Sequence, residues 1–554
     1  MRSPCLWRVA VGALAVAMVG VGVAGAQTAG DRAEDYRDVM LAQLALDEGD
    51  FAAAAARFEN LAARDPANAD WANSAIGARL ASGDAEAALR TAEAAHAQGL
   101  PLAAQGRLVL AVEALRTRRW RDAAVWLRDF DGDANQRLAA GLIEAWAMVG
   151  DGDVNAGVAH LTALPGLRPF TSTAPFQRAM MREHDRDWGE AEDAYEEAGS
   201  GSRVFVENIL RYGAFLERRG EAEAAAALYA RWRARATHVA LLAAAEGRYR
   251  AAAPSLQRSA ALGLAGFGSG LADERAMSAA ASMMSLALML DPEQHGVRVA
   301  LAGRLRETGQ FAAAVAVLTP IGPGSVYYEV AQVEIIWMTA EQDRSADALA
   351  HARALAAETG GRFALRALAD LSLQEGHWEQ AEAAYSALLA LSDAEGTPQW
   401  RPLYRRAVAR DRQGRWADAE RDLLAALVIA PNEAEILNHL GYGWIERGVR
   451  LEEALALVQR ALRANPNAAH IIDSEGWGYY QLGRYEDAVA ALERAQRLAP
   501  ASAAITEHLG DALWRAGRRR EARYQWRRAA GLAIDPVVRA MLEAKVETGL
   551  TDIP

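Results

Sequence analysis

The sequence predicts an all-α fold, a solenoid of about 12 or 13 stacked helix-turn-helix pairs. Three observations carry that prediction. Gly441, Gly476 and Gly510 stand 35 and 34 residues apart, and Ala454, Ala488 and Ala522 stand 34 apart twice. Ala and Leu dominate, Pro is sparse and 24% of residues are charged, a balance that suits a soluble, nearly all-helical chain. At 554 residues the chain is too long for one core but natural for a stack that lengthens unit by unit. A unit of about 34 residues cannot bury its apolar face alone, so its stability must come from its neighbours.

In chain order, the first element is a leader. Arg2 and Arg8 precede an uncharged apolar run from Val9 to Ala26, which closes on the small-x-small site Ala24-Gly25-Ala26. Residues 1–26 read as a cleavable secretory signal peptide, with the mature chain starting near Gln27 and located in the periplasm. An uncleaved anchor is the alternative, since a run of about 18 residues just spans a bilayer. Cys5 is the only cysteine and lies before the run, so it cannot serve as the usual lipid-attachment site of a bacterial lipoprotein. Once the leader is removed, no thiol remains for disulfides, nucleophilic catalysis or metal ligation. The formal net charge of -12 makes nucleic acid a poor default partner.

Residues 27–237 read as a worn N-terminal array of the same unit. Turns are expected at Gly49-Asp50, Gly83-Asp84, Arg118-Arg119, Asp151 to Asp153 and Gly220. Phe51 with Ala54, Trp120 with Ala123, and Trp188 with Ala191 repeat a large-x-x-small pattern, which is how a helix begins a buried stripe. Between His238 and Arg275 the rhythm weakens, and Gly263, Gly266, Gly268 and Gly270 crowd together. Residues 238–275 therefore read as an irregular connection hinging two arrays, or as one imperfect repeat with a long loop. The rhythm returns over 276–536, with Gly309, Gly376 and Gly414 as turn glycines, and residues 537–554 form a cap and tail.

From Pro431 onward the pattern is sharp enough to place residue by residue. This stretch resembles the tetratricopeptide repeat family: Gly476 matches its small eighth position, Ala488 its twentieth and Pro500 its closing thirty-second, while Tyr485 takes the large place after Gly483. The resemblance implies a right-handed superhelix whose first helices line a concave protein-binding groove. Carried over by position, the groove residues are Asn438, His439 and Tyr442; Asp473, Ser474, Trp477 and Tyr480; and Glu507, His508, Asp511, Trp514 and Arg515. Trp477, Tyr480 and Trp514 read equally well as seam residues between units.

No catalytic chemistry is legible. The sequence lacks H-E-x-x-H, G-x-S-x-G, G-x-x-x-x-G-K-[ST] and the Rossmann fingerprint. His439 and His508 occupy equivalent places two units apart, which reads as repeat ancestry rather than a metal site. Ser474 lies between Asp473 and Glu475 with His470 one turn back, but nothing supplies an oxyanion site. The expectation is a non-enzymatic chain without metal or cofactor, whose partners are proteins or peptides.

Seven arginines from Arg515 to Arg528, among them Arg519, Arg520 and Arg523, crowd an otherwise acidic chain. They read as the solvated face of a terminal cap or as a dock for an acidic partner or an anionic envelope surface. The segments DSEGWGYYQLGRYEDAVAALERAQRLAP and EHLGDALWRAGRRREARYQW look like the C-terminal part of large bacterial envelope repeat proteins. Among these are adaptors that bring a carboxyl-terminal processing protease together with cell-wall hydrolases. The resemblance implies a scaffold of that kind; a structural component of an envelope assembly or polymer-export machine is the alternative.

Overall fold

A computed structural model of the chain describes residues 29–166, 173–199, 205–233, 240, 243–244, 247, 255–271, 276–394 and 399–550. The leader expected over 1–26 lies outside them. Among the described residues there are 29 helices and no strand, and the helices fall into fourteen consecutive pairs and a single closing helix, Pro536–Thr548. The protein is an all-α repeat solenoid. In thirteen of these pairs a residue of left-handed backbone follows the first helix, a conformation that favours glycine, as at Gly83 (φ 86°) and Gly483 (φ 75°); residues 272–275, between the helices of the other pair, lie outside the described residues. At Arg118 and Asp343 a non-glycine residue takes the same conformation, which is why glycine spacing undercounts the pairs. Aspartates then start several second helices: the side chains of Asp50, Asp84 and Asp153 accept from the amides of Ala53, Ala87 and Ala156 at 3.0, 3.0 and 2.9 Å.

The chain forms two compact units, residues 1–327 and 328–554. Residues 238–275, expected as a connection between two arrays, fall within the first of these units. Over Leu256–Gly270 the irregular connection is corrected to a 15-residue helix that holds all four clustered glycines, while 248–254 and 272–275 of the expected connection lie outside the described residues. The glycines serve close approach. A Cβ on Gly263 would lie 2.5 Å from Gln177 Oε1 and 2.8 Å from Leu142, and one on Gly268 would lie 2.9 Å from the Ala280 carbonyl oxygen.

In the first unit, six pairs between Ala29 and Arg233 present a face built mainly from their first helices. The chain then returns across that face. Leu256–Gly270 packs on Ala134–Gly150, Ala174–His184 and Val206–Arg218, while Met277–Leu290 packs on Ala69–Ala81, Ala85–Ala97 and Ala104–Arg116. Ser285 Oγ donates to the Leu80 carbonyl at 2.9 Å, joining residues 205 positions apart. Near the end of the unit, the Tyr327 hydroxyl donates to Glu207. Burial pushes the Glu207 carboxyl up to about 7, against the lowering effect of that bond.

The second unit holds six pairs and the closing helix. Its pairs interlock at small residues. A Cβ on Gly441 would lie 2.8 Å from the Ala454 carbonyl oxygen, and one on Gly476 would lie 2.6 Å from Leu492 Cγ. One on Gly510 would lie 2.5 Å from the Trp526 indole. Ala454, Ala488 and Ala522 are fully buried opposite them. On the second helices a repeated clasp appears: Arg460 Nη2 donates to the Pro431 carbonyl at 2.7 Å, Arg494 to that of Pro466, and Arg528 to that of Pro500 at 2.8 Å.

Candidate protein-interaction face

Three successive first helices, Ala434–Glu446, Ala469–Gln481 and Ala503–Arg515, present side chains across the seams between units. The central group is aromatic. Trp477 stacks on Tyr480 of its own helix (ring centroids 4.5 Å, 7°) and on His508 of the next (4.4 Å, 17°). His508 Nδ1 lies 2.9 Å from Asp473 Oδ1, and the Tyr480 hydroxyl accepts from Arg515 Nε at 3.5 Å. Burial opposes a charge on His508, but the bond to Asp473 and the fields of Asp473, Asp511 and Glu507 outweigh it and raise the imidazole pKa.

A second group surrounds Trp514. Its ring tilts against Trp526 at 5.4 Å, and the guanidiniums of Arg519 and Arg523 each stand 5.1 Å from its centre. Lys545 Nζ, from the closing helix, bridges Glu507 Oε1 at 2.7 Å and Asp511 Oδ2 at 2.9 Å. Burial disfavours the ammonium, but Asp511 and Glu507 outweigh it and raise its pKa. Asp511 Oδ1 also accepts from the Trp526 indole at 2.8 Å.

His439 is drawn elsewhere, toward the preceding unit. Its Nε2 lies 3.1 Å from Asp411 Oδ2, and Arg447 closes on the other oxygen at 3.1 Å. The bond to His439 leads the effects that hold the Asp411 carboxyl below its ordinary value. Tyr442 is half-buried, and burial together with Glu446 pushes its hydroxyl up, keeping it a neutral donor. Asn438 is also half-buried, and its Oδ1 has no hydrogen-bond partner.

Fifteen side chains named from the sequence thus separate into kinds. Asp473, Trp477, Tyr480, His508 and Arg515 come together, as do Glu507, Trp514, Arg519 and Arg523, while Asn438, His439 and Tyr442 form a third set. Ser474 and Asp511 are buried, 3% and 6% exposed, so neither offers itself to a partner in this structure. Ser474 Oγ donates to the His470 carbonyl at 3.0 Å rather than meeting an imidazole. Arg520 is exposed, whereas Arg523 Nε is held by the Val546 carbonyl at 2.9 Å and Arg528 by Pro500. The basic run is therefore partly solvent-facing and partly tied to neighbouring backbone. Sequence reading missed Lys545, Asp411 and Arg447. Lys545 was the most accessible of them, since it stands 34 residues after Asp511, one repeat away and of opposite charge.

Comparison with known proteins bears on what kind of unit this is. The tetratricopeptide repeat model matches residues 39–96, 366–435, 404–469 and 474–536. These stretches are tetratricopeptide repeats. The TPR repeat-containing protein PA4667 of Pseudomonas aeruginosa is 29% identical over 173 residues, which make up 30% of this chain and only 27% of that protein. Among solved structures, a tetratricopeptide repeat protein from Parabacteroides merdae is 16% identical, with a TM-score of 0.37 over 45% of this chain and 97% of its own. The Cut9-Hcn1 hetero-tetramer of APC/C is 13% identical, with a TM-score of 0.38 over 93% of this chain and 96% of the matched one. Among the described residues, no cluster could hold a metal ion and no helix is long and apolar enough to cross a membrane.

Proposed function

We propose that this chain is a non-enzymatic periplasmic adaptor that captures proteins on the first-helix face of its second unit. The observation that carries the reading is the Trp477–Tyr480–His508 stack, which sets half-buried aromatic rings beside hydrogen-bonding groups across a seam. Half-buried aromatics flanked by charged side chains are the composition that carries most binding energy at protein interfaces. In its sharpest form the partner is a carboxyl-terminal processing protease with its cell-wall hydrolase substrates, a reading supported by the resemblance of residues 473–526 to envelope adaptors of that kind. The absence of a lipid-attachment cysteine after the apolar run implies a free periplasmic form instead of a tethered one.

The test is capture from periplasmic extract by the mature chain, repeated with Trp477→Ala plus Tyr480→Ala. Recovery of protease and hydrolases together, lost in the double variant, is the expected result. Recovery of membrane-machine subunits would replace it with the structural role, and retention of every partner by the folded variant would reject the face. N-terminal sequencing of the envelope protein should begin near Gln27; full-length protein in the cytosol would sink the location.

A further inference from the structure

The first unit hides a row of polar groups under its own chain. Gln177 and Asn208 are 0% and 1% exposed, and they reach Gly263 and Gly266 of the covering helix Leu256–Gly270. Gln177 Nε2, Asn208 Oδ1, His184 Nε2, and Arg211 Nε and Nη1 have no hydrogen-bond partner. Arg211 is itself buried and shares Glu183 with Arg218, so two guanidiniums face one carboxylate. Buried polar groups are nearly always paired, yet the covering helix meets only the His184 imidazole, at the Ser255 backbone of its N-cap, and leaves Gln177 Nε2, Asn208 Oδ1 and Arg211 Nε and Nη1 unanswered. Toward Gln177 and Asn208 it turns Gly263 and Gly266, and its own Ser259 Oγ is buried without a hydrogen-bond partner.

The companion helix Met277–Leu290 fits its seat differently. It is apolar apart from three serines. Ser282 Oγ is bonded to the Ser278 carbonyl at 2.8 Å, and Ser285 Oγ to that of Leu80 at 2.9 Å. The covering helix has four glycines in fifteen residues, each of which lowers its preference for helix.

We propose that the face under Leu256–Gly270 is a second polypeptide-binding site, held shut by that helix, with Met277–Leu290 as the fixed anchor. Its occupant is an extended acidic segment of a protein partner. Backbone carbonyls of such a segment take the N–H groups of Gln177 and Arg211, a peptide N–H answers Asn208 Oδ1, and carboxylates answer the surplus guanidinium charge. Leu264 and Phe267, both fully buried, hold the helix down in the resting state. The site is separate from the second unit's face, so either can fail without the other.

The test uses the full mature chain, which lacks Cys5, with one cysteine introduced at a time. Ala261→Cys and Ala287→Cys place it at buried positions of the covering and anchoring helices. Maleimide labelling under native conditions should be about tenfold faster at the first, because the covering helix opens locally while the anchor opens only with the unit. A peptide of about twenty residues alternating Glu and Ser, long enough to run along the row, should speed labelling at Ala261→Cys severalfold and leave Ala287→Cys unchanged. Gln177→Leu with Arg211→Met should abolish that effect, while slow labelling at Ala287→Cys in the same background reports a folded unit. Equal rates at the two positions, no response to the peptide, or a response that survives the double substitution overturns the proposal.

Discussion

Gly510→Ala sets two effects of opposite sign against each other. Gly510 lies inside a helix, where alanine is favoured over glycine by roughly 0.5–1 kcal/mol. The new methyl, however, would stand 2.5 Å from Trp526 Cδ1 and Nε1, and this indole is fully buried, backed by Trp514 and hydrogen-bonded to Asp511. An indole so held cannot step aside cheaply, and overpacking a close-packed site costs about 1–3 kcal/mol. The net expectation is a loss of about 0.5–2 kcal/mol. Gly531→Ala is the control: it lies in the partner helix with nothing within 4 Å of its added methyl, so it should be neutral or gain up to about 0.5–1 kcal/mol. Urea denaturation followed by circular dichroism, with midpoints compared at constant slope, reads both. A midpoint for Gly510→Ala at or above that of Gly531→Ala would refute the packing argument.

Other outcomes follow from the charges. His508 has a raised folded pKa, so its contribution is complete below the ordinary imidazole pKa and disappears as pH rises through the higher folded value; denaturation midpoints should fall over that range, and His508→Asn should flatten the fall. Glu207 is also raised, to about 7, so it favours folding at acid pH and opposes it as pH rises through about 7. Glu207→Gln should therefore raise first-unit thermal stability at pH 8 while changing little at pH 4. Lys545→Met strands Glu507 and Asp511 beside each other and should cost about 2 kcal/mol in the second unit, measured by the same urea titration; an unchanged midpoint would show that the bridge contributes nothing.

Spacing alone revealed the helical pairs from Trp400 onward, because Gly441, Gly476 and Gly510 mark close approach within each pair and that constraint survives in the sequence. The pairs near Arg118 and Asp343 were harder to count, since a left-handed residue need not be glycine. The cluster at Gly263–Gly270 misled for a physical reason. Glycine density ordinarily signals a bend, and only the tertiary approach of Gln177, Asn208 and the Ala280 carbonyl makes a helix of it. At the candidate face, residue types and first-helix positions could be read in advance, but facing could not. Asp473 meets His508 and Asp511 meets Lys545 only once neighbouring units stack, and Ser474 and Asp511 turn inward for reasons that lie on other helices.

The arginine clasps differ from these pairings in where they begin and end. Arg494 and Pro466 both belong to the 34-residue segment Pro466–Ala499, so the clasp closes inside a single cassette, whereas Asp473 finds its partner in the next one. Duplicating that cassette leaves every clasp whole but gives the first copy's Asp473 a new neighbour, and deleting it takes out one clasp with its own Asp473 and leaves His508 facing a different unit. Copy number in this array can therefore drift with little injury to its architecture, while each such event rewrites the surface at one junction. Length and recognition are inherited on different terms within the same 34 residues.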